Sequence, residues 1–351
     1  MKIGFDAKRY FNNTTGLGNY SKWLIDGLQN SNKDEYHLYH TSTCTHTLPV
    51  HSPKGILRFF SSLWRSKSIV KDLVNDGIDI YHGLSNEIPF GIHRTTIKTI
   101  VTIHDLINIR YPEYYNSIDK LIYKAKLNYA IKYAHIIIVP SYQTKDDLIN
   151  ILNTSGDKIK VIPLSVKSSR SYTKDEYAYP PEENYILCVS GFTKRKNLLN
   201  LVSAYKNIET DTHLVIAGRK GDTYAKVFNA SKATGNIALM TDVSDDTLGL
   251  LYAKCDFCIY PSEYEGFGIP ILEAFTHGKT VATSNVSSMP EVGGNAALYF
   301  NPLKKEEIIT CLNVLLDPAK RATYEENINE RLHHFDSEKL LVQYQDIYRT
   351  I

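Results

Sequence analysis

Eight short runs of nearly uninterrupted apolar residues, each closed by a turn former, constrain this chain most: KTIVTIHD, AHIIIVPS, KIKVIPLS, NYILCVSG, THLVIAG, DFCIYPS, KTVATSN and AALYFNP. A strand with one face in water alternates apolar and polar residues. A strand buried on both faces does not, and that pattern marks parallel sheets covered by helices. Between the runs lie stretches of helical period, such as YSKWLIDGLQN, IDKLIYKAKLNYAIKYA, LLNLVSAYKNI and KEEIITCLNVLLD. The opening MKIGFD reads as a further, first strand. Alternating strands and helices predict an α/β protein with two doubly wound parallel sheets. A length of 351 residues suits two domains better than one core.

The domain boundary is read at KSSRSYTKDEYAYPPEE, a polar, proline-containing stretch without helical period between VIPLSV and NYILCVSG. This gives an N-terminal domain over residues 1–165 and a C-terminal one over 166–335. The final helix, EKLLVQYQDIYRT within 336–351, fits against either. Proteins of this class hold ligands at the carboxyl ends of their strands, in the cleft between sheets.

Forty Lys+Arg against 38 Asp+Glu leave a net charge of +2, without the basic excess of a nucleic-acid binder. No apolar run approaches the ~18 residues that span a bilayer, and the start lacks the pattern of a signal peptide. A cytoplasmic protein is expected, with rest on a membrane surface still open. Five scattered cysteines make no disulfide framework, and the CxxC pair Cys255 and Cys258 reads as core rather than as a zinc or redox site.

The chemistry concentrates in SEYEGFGIPILEAFTHGKTV. Glu265 and Glu273 flank a Gly-rich bend, with Pro270 at the start of a helix and Glu273 expected near its first turn. The amides of Gly266, Phe267 and Gly268 would form an anion-binding corner beside the two carboxylates. A diphosphate flanked by sugar hydroxyls fits that set. A helix glutamate that merely complements the dipole accounts for Glu273, but leaves Glu265 and the glycines idle. In SGFTKRKNLLNL, Lys194, Arg195 and Lys196 precede a helix whose dipole disfavours them, a conflict that a bound anion removes; a solvated charge run is the alternative. Gly16 and Gly18 of TGLGNY are read as a turn before a helix, and a plain tight turn serves as well. His104 and Asp105 close the strand of TIHDL, where ligand contacts lie, although a lone His is more often structural. The GKT at 278–280 lacks the glycine of a phosphate loop, and no Asp-x-Asp pair offers ligands for a divalent metal.

Taken together these motifs resemble the retaining glycosyltransferases of family 4 (group 1). The likeness runs through IGFDAKRY, TGLGNYSKWL, DIYHGLSNEIPF, SYQTKDDL, VSGFTKRKNL, LVIAG and EGFGIPILEA, and is nearest the mannosyltransferase-like subgroup of O-antigen and capsule synthesis. It implies a GT-B fold, two Rossmann-like domains facing across a cleft, with the last helix crossing back to the first domain. It also implies roles: Glu273 on ribose hydroxyls, Glu265 and the Gly266–Gly268 amides near the donor sugar, Lys196 and Arg195 on the diphosphate. Gly16 and Gly18 would close over the phosphates, and His104 and Asp105 would lie beside the transferred sugar. Many family members carry an Arg directly after the first strand of the second domain. Here Ser190 and Gly191 stand there, which alters the donor-phosphate geometry.

The implied reaction moves a sugar, mannose by subgroup likeness, from a nucleoside-diphosphate sugar to a glycan or lipid-linked glycan, with retention and without metal or other cofactor. A sugar-nucleotide epimerase or hydrolase on the same fold, or a non-catalytic sugar-binding assembly protein, are the competing readings. On the acceptor side, KGILRFFSSLWRSKSIVKDL sets Arg58, Arg65 and Lys67 among Phe59, Phe60, Leu63 and Trp64. Packing of these aromatics into their own domain is expected; contact with an anionic membrane is the alternative.

Overall fold

The computed structural model describes residues 1–12, 16–30, 34–114, 116–166, 184–232 and 235–351. The stretch read as a linker, 167–183, lies outside them. Among the described residues the chain forms two compact units, Met1–Ser165 with Ser337–Ile351, and Val166–Asp336.

The first unit holds β1 (Lys2–Asp6), β2 (Glu35–Tyr39), β3 (Val50–His51), β4 (Ile80–Gly83), β5 (Lys98–Thr102), β6 (Ile136–Val139) and β7 (Ile159–Val161). They pair in the order β3-β2-β1-β4-β5-β6-β7, every pair parallel. The second unit holds β8 (Tyr185–Val189), β9 (His213–Ala217), β10 (Ile237–Met240), β11 (Phe257–Tyr260), β12 (Val281–Ser284) and β13 (Ala297–Phe300). Their order, β10-β9-β8-β11-β12-β13, repeats that of the first six strands. In each sheet the winding reverses once, between β1 and β4 and between β8 and β11. At that reversal the loops leaving neighbouring strands diverge and open a crevice at the carboxyl ends.

All eight apolar runs are strands; those inside the sheets are buried on both faces as their composition requires, while the edge strand β7 leaves Lys160 exposed and the edge strand β13 is half-buried at its middle. Ile100, Val101, Ile137 and Ile138 are fully buried in the first sheet, and Leu187, Val215, Ile216 and Ile259 in the second. Each large aliphatic so buried contributes about 1.5–3 kcal/mol. Helices start where a short polar side chain replaces the missing backbone partner: Ser141 accepts from the Thr144 amide, and Ser244 from that of Thr247. The final helix, Ser337–Thr350, belongs to the first unit. Trp23 Nε1 donates to Ser337 Oγ, Tyr344 meets the Tyr20 hydroxyl, and Tyr348 meets His82 Nδ1.

Candidate functional site

In the second unit the loop leaving β8 makes a tight 3-10 turn at Lys194–Lys196. Asn197, left-handed at φ 57°, then turns the chain into the helix Leu198–Tyr205. The loop leaving β11 ends at Gly268, whose φ of 117° only glycine adopts readily, and enters the helix Ile269–Thr276. These two loops meet. Arg195 Nη1 lies 2.5 Å and Lys196 Nζ 2.6 Å from the same oxygen, Glu265 Oε1, which also accepts from Ser262 Oγ. Arg195 also donates to the Tyr264 carbonyl, and Lys196 to the Tyr260 hydroxyl, over whose ring it sits 4.9 Å from the centroid.

Burial opposes the charge on Glu265, but the two cations and the Ser262 hydroxyl outweigh it and hold its pKa down at about 2. Lys196 is pulled the other way: burial lowers its pKa and Glu265 opposes the loss. The cluster of two cations and one carboxylate keeps a net positive charge. Glu265 Oε2 carries none of these bonds. Ser287 and Ser288 donate to the carbonyls of Glu265 and Phe267, which fixes the bend. The amides of Phe267 and Gly268 find no protein acceptor among the described residues. Ser190 is buried at the end of β8 and joins neither the cations nor Glu265.

Glu273 corrects one expectation. The helix begins at Ile269, so Glu273 falls in its second turn, outside the region where the dipole acts. Its carboxylate is held instead by Tyr252, whose hydroxyl lies 2.9 Å from Oε2. Burial raises its pKa, while that hydrogen bond works to lower it.

In the first unit, His104 and Asp105 follow β5 and line a cavity of about 380 Å³ with Arg9, Asn86, Glu87 and Lys126. His104 Nε2 lies 2.9 Å from the Leu84 carbonyl and donates to it. Burial lowers the pKa of this imidazole to about 4, so it is neutral at pH 7. Asp105 Oδ1 accepts from the Ile107 amide and so opens a short helix, a structural duty. Gly16 and Gly18 differ from expectation: they are not a turn before the helix Gly16–Gln29 but lie inside its first turn.

The sequence reading missed the charges beside this cavity. Arg65 bridges Asp6, at the end of β1, and Glu87, after β4; Glu87 also takes Lys126 Nζ at 2.7 Å. Arg65, which the sequence sets with Arg58 and Lys67 among aromatic residues, points inward and is nearly buried. Gly83 makes room for this arrangement, since a Cβ there would meet the Glu87 carbonyl at 2.1 Å. Only Asp6 was findable locally, by the rule that singled out His104. Among the described residues no group of three His, Cys, Asp or Glu side chains is placed to hold a metal ion. Cys255 and Cys258 are buried free thiols, and burial raises the pKa of Cys258 well above the usual value.

Sequence models of two families match the chain: "Glycosyl transferases group 1" over residues 170–331 and "Glycosyltransferase Family 4" over residues 28–170. The chain is 28% identical over 336 residues to O-antigen chain mannosyltransferase B of Escherichia coli, covering 86% of this chain and 87% of that one. It is 31% identical over 206 residues to O-antigen chain mannosyltransferase RfbU of Salmonella typhimurium, covering 58% of this chain and 56% of that one. In fold it is similar to HepE of Anabaena, solved in complex with UDP-glucose, with a TM-score of 0.79, 16% identity and 100% of both chains covered. With two parallel-sheet units of like winding and family models matching from residue 28 to 331, the chain belongs to the family 4, group 1 glycosyltransferases and has the GT-B fold.

Proposed function

We propose that this glycosyltransferase moves a sugar, with mannose the first candidate, from a nucleoside-diphosphate sugar to a hydroxyl of a glycan or lipid-linked glycan. The observation that carries this is the meeting of Arg195, Lys196 and Glu265 where the winding of the second sheet reverses. The named activities of the two O-antigen mannosyltransferases support the sugar, and the UDP-glucose complex of HepE supports a nucleotide-sugar donor.

Arg195, Lys196 and the Phe267 and Gly268 amides take the diphosphate. Charge-assisted hydrogen bonds of this kind contribute about 1.5–3 kcal/mol each, more as charge develops on the leaving group. Glu265 opposes the loss of charge that burial imposes on Lys196 and offers Oε2 to the donor sugar. Glu273, steadied by Tyr252, takes the ribose hydroxyls. Three donors on Oε1 and a pKa of about 2 make Glu265 a poor nucleophile, which favours front-face transfer over a glycosyl-enzyme. The sugar–phosphate bond breaks, the acceptor oxygen bonds to the anomeric carbon on the same face, and its proton passes to the departing phosphate. Cations and amides replace a metal. Peripheral contact with the cytoplasmic face of a membrane belongs to the same reading.

The test is transfer from GDP-mannose to glycans on a hydrophobic aglycone in excess EDTA, with the new linkage assigned by NMR. An α linkage formed in EDTA supports the reading. A β linkage, or activity abolished by EDTA, contradicts it.

A further inference from the structure

The segment read as a basic amphipathic helix does not pack as expected. Of its aromatic residues only Trp64 turns inward, where Nε1 donates to Asp72 Oδ2. Phe59 is 86% exposed and Ile56 74%, with Phe60 and Leu63 exposed beside them. The cause is local. Residues 55–58 form a short 3-10 turn, the chain then turns into one helical rod over 61–75, and a π-helical stretch at Trp64–Ser68 sets Trp64 and Arg65 toward the sheet. The remaining face keeps Leu63, Lys67 and Lys71 outward, with Lys54 and Arg58 exposed on the preceding turn. No carboxylate occurs from residue 51 to residue 71. A grouped exposed apolar patch of this kind marks an interaction surface.

We propose that this face, Ile56, Phe59, Phe60 and Leu63 ringed by Lys54, Arg58, Lys67 and Lys71, docks the first unit on an anionic lipid bilayer. The charge pattern selects this occupant. Aromatic and aliphatic side chains insert at headgroup depth, while cations around them meet lipid phosphates, each worth roughly fivefold in partitioning. A soluble protein partner would need a matching acidic rim; a second copy of this face would set cation against cation. This docking rests on the proposed transfer to a lipid-linked acceptor, and a connection in the fold links the two. Arg65 leaves the docking rod for Asp6 and Glu87, and Glu87 and Lys126 line the cavity that holds His104. Beyond Lys126, the same cavity-lining helix, Ser117–Tyr133, exposes Ile118, Leu121 and Ile122. A docked rod therefore holds the mouth of the cavity at a set distance from the lipid surface from which a lipid-linked acceptor would come.

Co-sedimentation of the full chain with phosphatidylcholine vesicles, with and without phosphatidylglycerol, tests this. Binding is expected only to the anionic vesicles and should weaken with salt. Phe59→Ser with Phe60→Ser should lower it at least tenfold, and Lys67→Gln with Lys71→Gln roughly 25-fold. All four positions are exposed, so far-UV circular dichroism and nucleotide binding should match the parent. No binding to anionic vesicles, or parent-like binding by both variants, overturns the proposal. So does a dimer in light scattering that Phe59→Ser with Phe60→Ser dissolves. Nucleotide calorimetry reads the donor site separately: vesicle binding without nucleotide binding would sink the transferase reading and leave this surface standing.

Discussion

The two units wind their strands in the same order, and each gathers opposite charges where the winding reverses, but they use them differently. In the second unit Arg195, Lys196 and Glu265 come from two adjacent loops and keep a net positive charge with one carboxylate oxygen spare. In the first unit Asp6, Arg65, Glu87 and Lys126 come from four distant places and pair off with one another, the two cations against the two carboxylates, with Lys8 and Arg9 beside them. An excess of charge at a strand-end crevice is poised for a ligand of opposite sign. A balanced chain of pairs is a brace, and here it stiffens one wall of a cavity. Topology therefore sets where charge collects, and side-chain choice sets whether the charge binds or holds.

Breaking the brace should have the largest effect. Arg65→Met leaves the buried carboxylate of Asp6 without its cation and should cost about 3–5 kcal/mol in denaturant unfolding of the first unit. The same test separates the two arrangements, because nucleotide affinity of the still-folded variant should stay near that of the parent.

Acid should divide the units next. In the first unit burial lowers the pKa of His82 to about 3 and of His104 to about 4. Below pH 6.5 the unfolded chain takes up protons that these folded imidazoles refuse. Stability is therefore lost progressively from about pH 6.5 down to about pH 4 and 3. In the second unit Glu265 is depressed to about 2 from the ordinary 4.5, so its contribution is intact above about pH 4.5 and lost as pH falls toward 2. Both tryptophans, Trp23 and Trp64, lie in the first unit, so their fluorescence reports it alone. On acidification the fluorescence transition should move to lower temperature before the circular dichroism of the whole chain does. Coincident transitions at every pH would argue against this division.

A smaller effect sharpens the binding side. Tyr252→Phe removes the hydrogen bond that opposes the burial of Glu273 and should raise the pKa of that carboxylate further. Nucleotide affinity should fall a few-fold, for a loss of about 1 kcal/mol, and the deficit should widen as pH drops. A variant whose affinity follows the same pH profile as the parent would mean that Tyr252 only packs.

The contrast between the units also explains what was legible in the sequence. Strands such as IIIV and YILCV announce themselves because burial on both faces leaves no polar position. EYHLY of β2 and IYHG of β4 mix tyrosine and histidine with their aliphatic residues, so their composition hides the strand, although His82 lies buried against Thr102 and Tyr348. The Lys194–Lys196 turn and the Glu265 bend stood out because each is contiguous and its charges conflict with a helix end. Arg65 gave no such sign. It lies between Trp64 and Ser66 with an exposed lysine at Lys67, and its inward course depends on a π-helical stretch and on carboxylates 59 residues upstream and 22 downstream, which no local pattern encodes. Phe59 and Phe60 misled for the opposite reason, since aromatic residues beside an inward Trp64 are ordinarily core.

The central claim is that the positive crevice of the second unit holds a nucleoside diphosphate, with Glu273 on the ribose. Calorimetric titration with GDP, UDP and ADP in excess EDTA, beside Glu273→Ala, tests it most directly. One nucleotide should bind without metal, and the variant should bind it about ten- to a hundred-fold more weakly, the loss of roughly 1.5–3 kcal/mol. Binding of no nucleotide, or equal binding by parent and variant, would contradict the roles given to Arg195, Lys196, Glu265 and Glu273.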